Sequence, residues 1–134
     1  MFAVLLLLSS LLSFSSCSPS FDYLSNTQEI VSSGTWSVGY FFADADKTVA
    51  FKNYAFHFNN GGALAIDGAS NLVTGTWQVA KDIEGADVMH LEVNTTDAAL
   101  QQLNGDWKVT DKNTVNIALK AQGHGNGQLQ INKF

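Results

Sequence analysis

A chain of 134 residues with seven lysines, no arginine and twelve acidic residues carries a formal net charge of −5. An acidic chain without Arg repels nucleic acid and lacks the planar donors that grip phosphate in pairs, so nucleic acid is excluded as a partner. Its one cysteine, Cys17, rules out an internal disulfide, and the fold must stand on its hydrophobic core.

The first element in chain order is an apolar stretch. Residues 2–12, FAVLLLLSSLL, form the hydrophobic region of a secretory signal, too short to span a bilayer comfortably. Small residues Ser15 and Ser16 then precede Cys17. This resembles a bacterial lipoprotein signal, in which the Cys becomes the lipidated first residue of the mature protein. Two departures stand beside it: Phe14 where that pattern has Leu, and no Lys or Arg before Lys47, as a start codon assigned a few residues late would produce. Residues 1–16 are therefore expected to be a lipoprotein signal peptide in the form of an N-terminal signal helix, with Cys17 as lipid anchor. A buried helix over 2–14, or cleavage without lipidation, are the alternatives. The resemblance implies the membrane as a partner through lipid on Cys17, in a bacterial envelope. Ser18 rather than Asp after the Cys fits the outer membrane.

Residues 17–33 are polar and Ser-rich and hold the only proline, Pro19, a composition that suits a tether. The competing reading packs this segment on the domain through Phe21, Tyr23 and Leu24 or Ile30. Without residues 1–16 the chain keeps 118 residues, enough for one domain that buries roughly two-thirds of its unfolded surface, and from Gly34, where the period becomes two, 34–134 is expected to form that domain. Over 34–42, Trp36, Val38, Tyr40 and Phe42 share a face. Over 53–59, Tyr54, Phe56 and Phe58 alternate with Ala55 and His57. Near 71–79, Val73, Gly75, Trp77 and Val79 oppose Thr74, Thr76 and Gln78, and Met89, Leu91 and Val93 oppose Val88, His90 and Glu92. Trp107 and Val109 mark another strand, and the last two carry Val115, Ile117 and Leu119, then Leu129 and Ile131. Such alternation of aromatic and β-branched residues is the signature of half-buried antiparallel strands.

Turn signals separate the strands: 59–62 (NNGG), 67–68 (DG), 84–85 (EG), 111–113 (DKN) and 123–127 (GHGNG). One stretch, 96–103, opens with a capping residue and stops at Asn104-Gly105, which predicts one or two turns of helix. Seven to nine strands at hairpin spacing predict an all-β fold, an antiparallel meander barrel of about eight strands with one short helical turn. Closure would remove the exposed edges, and a two-sheet sandwich is the alternative. Phe41, Phe51 and Leu72 are left on the outer face by this phasing.

All three tryptophans sit in one pattern, Gly-Thr/Asp-Trp-x-Val, at 34–38, 75–79 and 105–109. The Gly suits a bend or close backbone approach, and Trp and Val two apart point inward together. Trp36, Trp77 and Trp107 are read as core, because their large apolar area dominates a small interior. In the alternative they form, with Tyr54, Phe56 and Phe58, an aromatic wall for a bound ligand. The strand GTWSVGYFF, then YAFHFNNGGAL, VTGTWQV, a helical turn, GDWKV and a short last strand resemble the lipocalin-like domains of small Gram-negative lipoproteins over 34–134. The resemblance implies a β-barrel and membrane attachment and brings no catalytic residue, binding residue or cofactor.

Chemistry is sparse. There is no Gly-x-Ser-x-Gly, and the carboxylates considered as a hydrolytic pair, Glu92 and Asp106, carry no local signature and are read as solvated surface acids. His57, His90 and His124 lie far apart in sequence, unlike the close spacing of metal motifs. Asp44-Ala45-Asp46 lacks the Gly and distal Glu of a calcium loop, and Asn94-Thr95-Thr96 is a glycosylation sequon read as accidental. The chain is therefore expected to be a non-enzymatic, lipid-anchored binding barrel without cofactor or metal, its partner a small apolar ligand or an envelope protein. The alternatives are an inhibitor or accessory subunit of an envelope complex, and a secreted, non-lipidated small-molecule-binding barrel.

Overall fold

The computed structural model describes residues 27–68, 71–123 and 125–134. The signal stretch 1–16, Cys17 and His124 lie outside the described residues. Eight strands follow one another, β1 Thr35–Phe42, β2 Ala55–Phe58, β3 Ala63–Asp67, β4 Leu72–Lys81, β5 Asp87–Asn94, β6 Gly105–Lys112, β7 Asn116–Gln122 and β8 Gln128–Lys133. Each pairs antiparallel with its neighbour, and β8 pairs with β1, so the meander closes into a barrel. Helix α1 (Thr27–Val31) precedes β1, and α2 (Ala98–Gln101) joins β5 to β6 where the helical turn was expected. Asp97 caps α2 by accepting from the amides of Ala99 and Leu100. A 3-10 helix, Thr48–Phe51, lies between β1 and β2. Alpha1 and the start of β1 share one end of the barrel with the β2–β3, β4–β5 and β6–β7 hairpins. The 3-10 helix, α2 and the β7–β8 turn occupy the other. These are called the α1 end and the α2 end.

The interior is filled. Trp36, Phe41, Leu64, Ile66, Met89, Trp107 and Ile117 are buried in one continuous core, joined by Phe56, Phe58, Trp77, Leu91, Leu119, Leu129 and Ile131. Eight strands enclose a space that side chains can just fill, and here they do. Beta4 and β5 keep the expected phase: Trp77 faces in opposite Leu91, and Leu72, 64% exposed, faces out.

Beta1 and β6 break phase. The β1–β8 register slips between Val38 and Tyr40. This bulge adds a residue to one strand and reverses the facing of everything after it. Phe41, expected outside, therefore turns inward beside Leu129 and packs tilted against Phe51 with ring centres 4.9 Å apart, while Tyr40 and Phe42 are only half-buried. Phe51, also expected outside, is buried by the 3-10 helix, which sets it against the barrel mouth. A second slip, between Val109 and Asp111 of β6, leaves Lys112 paired with the inward-facing Ile117. Lys112 thus shares the inner face of the wall. Tyr54 precedes β2 rather than lying within a strand over 53–59, Val115 precedes β7 and is exposed, and β3 completes the expected count of about eight in a segment to which the alternation assigned no strand.

The three tryptophans share one structural task. Trp36 Nε1 donates to the Val31 carbonyl at 2.8 Å, Trp107 Nε1 to Leu103 at 2.8 Å, and Trp77 Nε1 to Asn59 and Ala63 at 3.0 and 3.1 Å. Each ring fills the core while its one polar atom clips a chain segment across the barrel end: α1, the turn after α2, and the β2–β3 hairpin. A buried indole N–H needs such a partner. Two of the glycines that stand two residues before a Trp, Gly75 and Gly105, serve a local need. A Cβ on Gly75 would lie 2.1 Å from the Glu92 carbonyl oxygen of the paired strand, and Gly105 has φ of 122° as the chain leaves α2. Gly75 lies within β4 and does not open it.

Of the segment 17–33, residues 27–33 are described, and they pack on the domain. Ile30 and Val31 join the core, and Thr27 is buried.

Candidate functional site

The aromatic residues considered for a ligand wall are placed by their burial. Trp36, Trp77, Trp107, Phe56 and Phe58 are buried in the core, with Phe58 edge-on to Trp77 at 5.6 Å. Tyr54 alone of this set is half-buried, and both it and the buried Trp107 border open depressions at the α2 end, the second lined also by Phe41, Gly125 and Gly127.

Three polar arrangements surround the core. At the α1 end the inner-face residues Lys81, Asp87 and Lys112 converge. Asp87, only 7% exposed, accepts from Lys81 Nζ at 2.7 Å, Lys112 Nζ at 2.9 Å and Thr27 Oγ1 at 2.5 Å. Burial alone would raise the Asp87 pKa. Hydrogen bonds from Lys81, Thr27 and Lys112 outweigh it and hold the carboxyl at about 2. The cluster closes the interior where the apolar residues end and ties α1 to the wall.

On the outer wall, His90 of β5 bridges two carboxylates, with Nδ1 2.6 Å from Asp106 Oδ1 and Nε2 3.1 Å from Glu92 Oε2. The β5–β6 register sets His90 directly opposite Asp106, which is why these residues, far apart in sequence, meet. The Asp106 hydrogen bond raises the His90 pKa, burial opposes this, and Glu92 adds to the rise. A proton-sensitive pair results. In an imidazole titration followed by NMR, His90 should titrate above the ordinary 6.5, and Asp106→Asn should bring it down toward that value. An unchanged His90 midpoint in the variant would show that Asp106 is not the cause. Any stability from this cluster is full below pH 6.5 and fades as the pH rises through the folded-state pKa. Glu92 and Asp106 do not face each other across a cleft. His57 lies elsewhere, near Thr35 Oγ1 at 3.4 Å. Among the described residues no group of three or more His, Cys, Asp or Glu is arranged to hold a metal ion. Asp46 spends its carboxylate on the amide and hydroxyl of Thr48 at the start of the 3-10 helix.

At the α2 end an open cleft of about 410 Å³ runs between the 3-10 helix, the start of β4 and the cap of α2. Val73, Leu100 and Ala50 make its floor, and Asn53, Tyr54, Asn71, Thr95, Thr96 and Asp97 its walls. The Tyr54 ring is braced by the backbone of Gly68, on which a Cβ would stand 2.4 Å from the ring edge. Its hydroxyl donates to Asp97 Oδ2 at 3.4 Å, and burial together with the Asp97 charge raises the phenol pKa. These residues come from three separate stretches, 50–54, 71–73 and 95–100, whose meeting no local pattern announces. Only Tyr54 carried a sequence signal.

No protein-family model and no curated protein matches the sequence. Among solved structures, a DUF4847 family protein from Bacteroides vulgatus ATCC 8482 is similar, with a TM-score of 0.58 over 80% of this chain and 96% of that chain at 16% identity. At that identity the likeness shows the barrel fold alone.

Proposed function

We propose that the chain is a non-enzymatic binding domain held at a bacterial envelope membrane by lipid on Cys17, with recognition at the α2 end rather than inside the barrel. The filled interior carries this reading: with Trp36, Phe41 and Trp107 buried in it, the barrel axis offers no room to a ligand. The direction of the chain supports the rest. Thr27, ten positions after Cys17, sits at the α1 end, the end opposite the open cleft. The carboxylates considered for hydrolysis are engaged with His90 on the outer wall, which argues against their acting as an acid–base pair.

The test is intact mass of the protein isolated from membranes, beside a Cys17→Ala variant. A diacyl or triacyl mass in the parent, absent in the variant together with membrane retention, is the expected result. A plain polypeptide mass with soluble parent protein would remove the anchor and leave a secreted barrel.

A further inference from the structure

We propose that the cleft at the α2 end binds a neutral polyhydroxylated ligand, of the size of a mono- or disaccharide unit. This rests on the reading of the barrel as a binding domain and not on the anchor. The first observation is size: about 410 Å³ falls in the range of small-ligand sites. The second is donor chemistry. Among the described residues the side chains of Asn53, Asn71 and Thr96 take no partner within the protein, yet all three line the cleft. A carboxamide presents a donor and an acceptor side by side, and a hydroxyl serves as either. Vicinal hydroxyls, which both donate and accept, are the complement of such a set.

Charge narrows the class. Among the described residues Asp97 is the only carboxylate on the cleft wall, and no Lys lines it. Its Oδ1 is committed to the cap of α2, while Oδ2 meets only the long contact from Tyr54 and keeps capacity to accept from a ligand hydroxyl. An anionic ligand would meet this carboxylate with no cation to compensate. The apolar surface, the floor of Ala50, Val73 and Leu100 with the braced Tyr54 ring, comes in small patches. These match the C–H faces of a sugar ring better than the continuous tail of a lipid. The hydroxyl-rich ligand also explains why the cleft is walled by neutral amides rather than by the acids that dominate the chain's charge.

The experiment titrates the isolated full chain with glucose, galactose, N-acetylglucosamine and their β-1,4-linked disaccharides, reading the side-chain amide resonances of Asn53 and Asn71 by NMR. At least one saccharide should bind with a dissociation constant of about 1 mM or tighter. Asn53→Ala and Asn71→Ala should each weaken it about tenfold, the loss of one or two hydrogen bonds. Both residues are exposed, so the variants keep the fold, which dispersion of the core resonances checks. Failure of every saccharide to shift these amides at about 50 mM would overturn the proposal. So would binding that keeps its affinity in the Asn53→Ala/Asn71→Ala double variant, read there at the backbone amides of Thr96 and Asp97, or occupation of the cleft by inorganic phosphate or acetate instead. None of these results bears on the mass of the anchored form, so the anchor and the cleft stand or fall separately.

Discussion

Trp107→Ala should destabilise the domain by about 3–5 kcal/mol, since it deletes the largest class of core side chain and leaves a cavity that the closed wall relaxes into only partly. That is a large share of the 5–15 kcal/mol typical of a whole domain. Loss of a cooperative urea transition in this variant is therefore an acceptable form of the result. The informative partner is Trp107→Phe. It keeps an aromatic ring against Phe41, now 6.1 Å from Trp107, and removes the N–H that clips the Leu103 carbonyl. An unmatched buried carbonyl costs about 1–3 kcal/mol, so Trp107→Phe should fold with a lower urea midpoint and an unchanged slope. Its local signature separates clip from filler. Amide exchange should quicken in α2 and the turn to Gly105 while α1, held by Trp36, keeps its protection. Trp36→Phe should show the mirror image, with α1 loosened and α2 unchanged. Uniform loss of protection in both variants would mean that the tryptophans only fill space.

How much of this was legible in the sequence depends on where neighbouring strands intervene. Beta4 and β5 run without a bulge, so Trp77, Met89, Leu91 and Val93 could be placed by alternation alone. Beta1 could not be followed past Val38. Its bulge is a property of pairing with β8, and no local signal told Phe41 to turn in. Phe51 was misread for a related reason: a one-turn 3-10 helix has no period long enough to detect, and its burial comes from covering a barrel mouth. Beta3, Ala-Leu-Ala-Ile-Asp, sets alanines opposite its core residues, giving little contrast between faces. The Trp motif was visible, and its reading as core matches the burial, but the clip it makes needs the fold. The polar sites follow the same logic. Glu92 lies two residues from His90 on one face, a spacing the sequence displays, whereas Asp106 arrives only through the β5–β6 register. The cleft joins Asn53, Asn71 and Thr96 by closure of the barrel, which no local window contains.

Lys112→Met carries the second large effect. The bulge in β6 turns Lys112 onto the inner face, where its side chain, 19% exposed, brings the ammonium to Asp87. Removing one partner of a buried ion pair costs about 3–5 kcal/mol because the other charge stays desolvated. Lys81 and Thr27 still hold Asp87, so the lower end of that range is expected. Adding Asp87→Leu and Thr27→Val to Lys112→Met should restore most of the stability, since a packed apolar cluster leaves neither a buried charge nor the Thr27 hydroxyl unpaired. The pH dependence supplies an independent check. Asp87 has a folded-state pKa of about 2 against an ordinary 3.8, so the folded state favours the ionised carboxylate. Its contribution, about 2 kcal/mol by linkage, is complete above the ordinary value and is lost as the pH falls from there through about 2. Urea midpoints measured from pH 5 downward should drop more steeply in the parent than in Asp87→Asn, which has no carboxyl to protonate there. Equal slopes would place the acid sensitivity elsewhere. Because Thr27 bonds to the same carboxylate, protonation should also release α1 ahead of the barrel, seen as early loss of protection at Ile30 and Val31. The acidic limb would then act first on the segment that joins the domain to its proposed tether, leaving the cleft at the opposite end folded until the core itself gives way.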